Sequence, residues 1–348
     1  MPTIHILSQY LWPDSAPTGL YAEQLAEFLC ANGWRVLLVG GNGSYREGCR
    51  PQPKCQMVVL NHYHGKRGSL LSVAQEYRAV RSAFLRYIAS SVQSGDIVVV
   101  SSAPPNTVDL ARKIQRGGAT AIYWLQDYYP ELVRGLWEYP RVFRKGLSHC
   151  WDRYLLAWDH VVKVAANLGY TGENARIIRN WPTVRFPSTV EPTPLTALYT
   201  GNFGYCQHLP SFLETCRELF DQGYRITVQG DGPGIQRMPA WIQTRPALKD
   251  SDELVRSYQQ AEVHIIAAHP EIQAAVFPSK FWNSLASGRR LVFSGFSGAM
   301  LQELKTSMDA SYWQHLQQWK DFVEGLCGSG EGATHCEPQA VVHSESRL

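Results

Sequence analysis

Apolar and polar positions along the chain follow two periods in alternation. Short aliphatic runs at residues 4–7, 36–39, 58–60, 97–100, 121–125, 161–164 and 177–178 read as strands. The near-continuous run Ile97-Val98-Val99-Val100 is of the kind buried on both faces of a parallel sheet. Between these runs the apolar residues fall three and four apart. Tyr21, Leu25, Phe28 and Leu29 mark one helix, closed by Asn32-Gly33, and Val73, Tyr77, Val80, Phe84 and Ile88 mark a longer one. Strand, helix, strand in repetition is the signature of crossover units in a parallel sheet. From Trp181 to Pro194 the period is lost and Pro182, Pro187, Pro192 and Pro194 accumulate, which reads as a linker. The pattern then restarts, with strands at 197–199, 225–228, 263–268 and 291–293, a short one at Trp241-Ile242, and helices over 209–220, 253–260, 297–304 and 313–326. The expected fold class is α/β, with two Rossmann-like domains whose ligand-binding edges face each other across a cleft. The first covers 1–185, the linker 186–194 and the second 195–310.

Composition agrees with that picture and removes several alternatives. A chain of 348 residues with 45% apolar and 18% charged residues has the size of two ordinary globular domains. A formal net charge of +3 is too small to argue for nucleic acid as a partner. No apolar run approaches the ~20 residues of a membrane-spanning helix. The opening Met-Pro-Thr-Ile-His-Ile-Leu reads as an immediate strand rather than a signal peptide, and the eight cysteines form no metal-binding or C-x-x-C spacing. A cytoplasmic location is expected. Residues 134–145 interleave Arg134, Arg141, Arg144 and Lys145 with Leu136, Trp137, Tyr139, Val142 and Phe143. Such a stretch either lies peripherally on an anionic membrane or is a solvated helix face with a buried stripe. Beyond residue 326, the composition of 327–348 cannot support a core and is expected to be disordered.

Candidate chemistry concentrates in the loops that follow strands. In Phe277-Pro278-Ser279-Lys280, Pro278 suits a first helical turn, so Ser279 and Lys280 would sit on free backbone N–H groups, with Gly288 ending the helix. That is an anion site; the plain alternative is one more helix with a basic surface residue. Thr18-Gly19 lies on the loop edge where open α/β sheets bind ligands, or serves only the turn. Gly201-Asn202-Phe203-Gly204 and Gly230-Asp231-Gly232 suit close backbone approach to phosphate or sugar. Neither has the dinucleotide spacing, so a nicotinamide enzyme is not expected. Asp127, at the carboxyl end of the run 121–125, either stands in the ligand crevice or caps the next helix.

Read together, these loops resemble the family-4 retaining glycosyltransferases of the two-Rossmann-domain (GT-B) type, over nearly the whole chain to about residue 326. The resemblance rests on Tyr10-x-x-Pro13-Asp14 through Pro17-Thr18-Gly19-Leu20, the Pro-Pro pair after Ser102, Asp127-x-x-Pro130-Glu131, Gly201-Asn202-x-Gly204, Gly230-Asp231-Gly232-Pro233, and the Pro-Ser-Lys helix ending Leu285-Ala286-Ser287-Gly288. It is most similar to the branch that builds cell-surface polysaccharide, such as colanic acid, O-antigen and capsule. The resemblance implies transfer of a sugar from a nucleoside diphosphate sugar, UDP before GDP, to a lipid-linked or polysaccharide hydroxyl, with retention and without a metal or other cofactor. It also implies that a final helix, 311–326, returns to the first domain. The donor would sit on the second domain, with Gly19, Gly201, Gly204, Ser279 and Lys280 around the diphosphate and the base contacted near Leu248. The family's ribose-binding glutamate falls on Asn283, its partner acid on Ala275 with Glu271 close by to substitute as the second catalytic acid, and its phosphate-binding Arg and Lys on Asn202 and Gln207. Asp127 is the acid expected to orient the acceptor. These departures keep a second reading open, a glycosyltransferase-like module that binds a nucleotide sugar or a partner without turnover; sugar epimerisation or phosphorolysis on the same fold is a third.

Overall fold

The computed structural model describes residues 2–41, 51–65, 70–136, 141–186, 190–248, 250–308 and 314–328, with the backbone alone for 70, 133–136, 141–145 and 147. The stretch 134–145 read as a membrane or solvated face therefore lies outside the described side chains, as 329–348 of the expected tail lies outside the described residues. No helix among the described residues is long and apolar enough to cross a membrane.

In chain order the first unit comprises β1 (Thr3–Ser8), α1 (Pro17–Ala31), β2 (Arg35–Gly40), β3 (Gln56–Val59), α2 (Leu70–Ser91), β4 (Ile97–Ser101), α3 (Ala111–Arg116), β5 (Thr120–Leu125), α4 (Tyr129–Leu136), α5 (Arg141–Leu155), β6 (His160–Lys163) and β7 (Ala175–Ile177). The second comprises β8 (Thr193–Thr200), α6 (Leu209–Asp221), β9 (Arg225–Gln229), β10 (Gln243–Arg245), α7 (Ser251–Gln260), β11 (Ala261–Ala267), α8 (Lys280–Ala286) and β12 (Arg290–Ser294). Two helices follow, α9 (Gly298–Met308) and α10 (Gln314–Gly328). All strand pairs are parallel, in the orders β3-β2-β1-β4-β5-β6-β7 and β10-β9-β8-β11-β12. Every residue of β4 is buried, as its uninterrupted apolar run requires. In each sheet the order reverses direction once, between β1 and β4 in the first and between β8 and β11 in the second. These two reversals are the topological switch points, where such sheets open a crevice at their carboxyl ends.

The two units have separate cores that divide the chain unevenly. Tyr199, Phe203, Phe212, Val228 and Ile265 form the smaller one inside the second sheet and its helices. The larger core belongs to the first sheet, yet it also takes Phe281 and Trp282 from α8, Met300 and Leu304 from α9, and Trp319, Phe322 and Val323 from α10. Trp319 packs edge-on against Trp124 of β5 at 5.0 Å, so α10 closes the first unit rather than the second. Polar contacts continue the seam. Arg179 makes a two-pronged ion pair with Glu303 of α9, at 2.8 and 3.2 Å, and Asn167 donates to the Gln273 carbonyl at 2.5 Å. Residue 276 pairs antiparallel with Asp127 in an isolated β-bridge, and the Gly169 N–H donates to the Ala274 carbonyl at 2.9 Å.

Local differences from the sequence reading have simple causes. Trp241-Ile242 is a turn, with the Ile242 N–H on the Pro239 carbonyl, and the strand is the polar β10 immediately after it. Trp241 is apolar because it packs on Phe220 at 5.1 Å, under Arg217. The helix after Phe277 begins at Lys280; Pro278 precedes it and accepts the Phe281 N–H at 3.0 Å.

Candidate active site

A pocket of about 500 Å³ lies between α1 of the first unit and the carboxyl ends of β8 and β9 in the second. Leu20, Glu23, Gln24 and Glu27 of α1 and the turn Pro51 to Lys54 form one wall, and Thr200, Gly201, Leu248, Leu254, Tyr258 and Lys280 form the other. Thr183 and Val184, just before the linker, also line it.

Lys280 is the cation of the second-unit wall. Its Nζ donates to the Tyr199 hydroxyl at 2.8 Å and the Asn202 carbonyl at 3.1 Å, and lies over the Tyr199 ring, 4.8 Å from its centre. These partners are neutral, so burial dominates and pulls the ammonium down to about 8. Such a cation gains from an anionic ligand. Gly201 makes the placement possible: at φ +105° it turns β8 back over the Lys280 stem, where any side chain would strike the Lys280 methylenes. Gly230 and Gly232 pack on the Gly201 carbonyl and the Asn202 amide in the same way, and Gly19 packs on the Tyr10 carbonyl. The close approaches of these glycines are made to the protein's own backbone and side chains.

Asp127 is not among the residues that line this pocket; its backbone pairs with Val276, in the loop before α8. The backbone N–H groups of Gln126 and Asp127 both donate to the Ser102 hydroxyl, at 3.0 and 3.2 Å, which fixes the turn after β5. The adjacent Tyr128 N–H donates to the Ala275 carbonyl at 2.6 Å. Burial pushes the Asp127 carboxyl up to about 6, a value suited to a group that holds or exchanges a proton near neutrality. Cys206 joins the two sides. Burial first and then the Asp127 charge push its thiol up to about 11, while Lys280 pulls the other way, so one loop lies within electrostatic reach of both groups.

The remaining expected residues divide by position. Leu248 joins Gly201 and Lys280 in the pocket. Gln207 turns inward and accepts the Gly204 N–H at 2.8 Å, closing the loop on itself. The Asp231 carbonyl accepts the Phe203 N–H at 2.7 Å while its side chain is exposed. Thr18 lies in the first turn of α1, and the Ser279 carbonyl meets the Tyr21 hydroxyl of that helix at 3.5 Å. The Asn283 amide oxygen accepts the Thr183 N–H at 2.7 Å and its Nδ2 donates to Thr183 Oγ1 at 3.0 Å. Its amide thus clamps the stretch just before the linker. Glu271 sits on an exposed turn; Ala275, fully buried, is the residue of that loop held against Tyr128. Tyr199 and Tyr258 went unnoticed in the sequence because nothing local distinguishes them from core tyrosines. Only the fold brings them to Lys280 and, through the Thr200 hydroxyl at 2.7 Å from Tyr258, to the pocket floor.

Two facing parallel α/β units with a cleft between their carboxyl edges define the GT-B class of fold. No family model and no curated protein matches the chain. Solved structures do. It is similar to sucrose-phosphate synthase from Thermosynechococcus elongatus, with a TM-score of 0.63 at 12% identity over 95% of this chain and 100% of that one. It is also similar to α,α-trehalose 6-phosphate synthase from Burkholderia multivorans, with a TM-score of 0.58 at 12% identity over 94% and 99%. A third likeness is to the pneumococcal O-GlcNAc transferase GtfA, solved with UDP and GlcNAc, with a TM-score of 0.55 at 10% identity over 94% and 99%. At these identities the likeness is one of fold.

Proposed function

We propose that this protein is a retaining glycosyltransferase that moves a sugar from a nucleoside diphosphate sugar, UDP before GDP, to a hydroxyl of a lipid-linked or polysaccharide acceptor in cell-surface polysaccharide synthesis. The observation that carries the reading is a half-buried cation, Lys280, held by Tyr199 and the Asn202 carbonyl at the edge of the second sheet, and a carboxyl, Asp127, at the end of β5 in the first. The structural neighbours, two sugar-phosphate synthases and an O-GlcNAc transferase solved with UDP and GlcNAc, support it.

When the bond to the anomeric carbon breaks, negative charge develops on the departing diphosphate. Lys280 neutralises it, fixed in place beforehand by Tyr199 and the Asn202 carbonyl. Preorganised charge of this kind costs no reorganisation at the moment of reaction. Asp127, as the carboxylate, accepts the hydrogen bond of the acceptor hydroxyl and orients it. Leu248 and Leu254 supply the apolar surface for the base, and Tyr258 with Thr200 the polar floor beside it.

Incubation of the full chain with UDP-sugars and GDP-sugars tests the reading. Release of free nucleoside diphosphate above a boiled control is the expected result, and an α-linked donor should give an α-linked product. One observation favours a second reading, a nucleotide-sugar-binding module without turnover: Asn283 and Gln207 use their amides on the protein itself. Binding of nucleotide with no release under any acceptor would select it.

A further inference from the structure

Charge is distributed unevenly along the pocket between α1 and the second unit. Lys280 stands at one end, and α1 is pinned level with it, since the Tyr21 hydroxyl donates to the Ser279 carbonyl at 3.5 Å. Leu20, Glu23, Gln24 and Glu27 line the pocket from one face of α1, at the three- and four-residue spacing that stacks side chains along a helix. Glu27 is six residues beyond Tyr21, so it lies about 9 Å further along the helix axis. That is the direction in which a nucleotide anchored at Lys280 by its diphosphate would extend.

Three carboxylates line the pocket, and two are committed to the fold. Glu23 Oε1 accepts the Trp12 N–H at 2.6 Å. Asp250 Oδ1 accepts the Asp252 and Glu253 N–H groups, both at 2.9 Å, as the cap of α7. Glu27 differs. Its Oε1 accepts the Lys54 N–H at 2.8 Å, which braces the turn Pro51 to Lys54 against α1, and its carboxylate makes no other hydrogen bond or ion pair among the described residues. A carboxylate has about four lone-pair sites, so Oε2 and half of Oε1 remain for a ligand. Gln24, its neighbour on the helix, is used on both sides: Nε2 donates to the Thr183 carbonyl and Oε1 accepts from Trp181, each at 2.8 Å.

We propose that Glu27 reads the nucleoside end of the donor by accepting two neighbouring hydrogen-bond donors. Two parts of a nucleotide offer such a pair: the 2′- and 3′-hydroxyls of the ribose, and the N1–H with the 2-amino group of guanine. The uracil edge offers one N–H between two carbonyl oxygens, which a carboxylate repels. This rests on the glycosyltransferase reading and adds to it a contact from the first unit, so that both units hold the donor.

Calorimetric titration of the full chain with UDP, GDP and their 2′-deoxy forms, at pH 7 and constant salt, tests the assignment in wild type, Glu27→Gln and Lys280→Met. Glu27→Gln keeps an oxygen for the Lys54 N–H and turns a donor toward the ligand. Wild type should bind at least one ribonucleotide and discriminate by about tenfold, the worth of a hydrogen bond to a charged group. Discrimination against the 2′-deoxy form places the ribose at Glu27, and preference for GDP over UDP places the base there. In Glu27→Gln that discrimination should shrink to within about threefold, whereas Lys280→Met should weaken every nucleotide alike and preserve it. Glu27→Ala, which favours the helix, covers the case in which Glu27→Gln fails to fold. Nucleotide binding with neither discrimination, or with discrimination unchanged in the folded Glu27 variants, overturns the proposal and leaves the transferase reading standing. No binding of any nucleotide to folded wild type overturns both.

Discussion

The two switch points of this molecule share a topology and carry opposite chemistry. At the second, the reversal between β8 and β11, the carboxyl edge presents a cation: Lys280, held by Tyr199 and the loop that Gly201 turns over its stem. At the first, the reversal between β1 and β4, it presents acceptors without donors, Gln9 Oε1 and His62 Nε2, with Asp127 further along the edge. A parallel sheet that changes direction always opens a crevice there. What enters is decided by a few side chains that the sheet does not dictate. On the function proposed above, the difference would bring the anionic diphosphate to the Lys280 edge.

If the edges are so divided, mutations should separate turnover from donor affinity. The largest effect belongs to Asp127→Asn, which keeps the shape and removes the carboxylate: turnover should fall by about 10²- to 10⁴-fold, with donor affinity nearly unchanged in a calorimetric titration. Loss of donor affinity with intact turnover would reverse the assignment of the two edges. Next comes Lys280→Met, expected to weaken nucleoside diphosphate binding by about 10- to 100-fold, the worth of a charge-assisted contact. Gly201→Ala should act on the same edge indirectly, displacing the Lys280 stem and weakening the donor by about tenfold, with little change in melting temperature if the loop yields. Asn283→Ala should change donor affinity by less than about threefold, because its amide holds Thr183; a stability loss of about 1 kcal/mol in urea unfolding is its expected signature.

The edges should also part in their pH dependence. The Asp127 carboxyl is raised, so it is protonated below about 6 and turnover rises as pH climbs through that value. The Lys280 ammonium is lowered, so donor affinity falls as pH climbs through about 8. Ligand phosphate would move the second limb upward, since an anion stabilises the ammonium. A rate limb near 6 that persists in Asp127→Asn would assign it to another group.

Much of this was legible in the chain, and the rest was hidden for definite reasons. The buried strands were readable because β4 and β5 are apolar on both faces, Asp127 and Gly201 because each closely follows a strand, and Lys280 because it stands in the Pro-Ser-Lys stretch that opens a helix. Periodicity shows that a helix has an apolar face but not what the face meets. So nothing in 297–304 revealed that Met300 and Leu304 of α9 serve the first core. Tyr199 and Lys280 are eighty-one positions apart and Thr183 and Asn283 one hundred, distances at which no local pattern speaks. The unpaired acceptors at the first switch point were equally silent, since an unpaired Gln9 oxygen is a property of packing alone.

Calorimetric titration of the wild-type chain and Lys280→Met with UDP and GDP, at pH 7 and constant salt, tests the central claim most directly. The account predicts saturable binding of one of the two nucleotides, weakened at least tenfold in the folded variant. Binding of equal strength in both proteins, or none to the folded wild type, would contradict it.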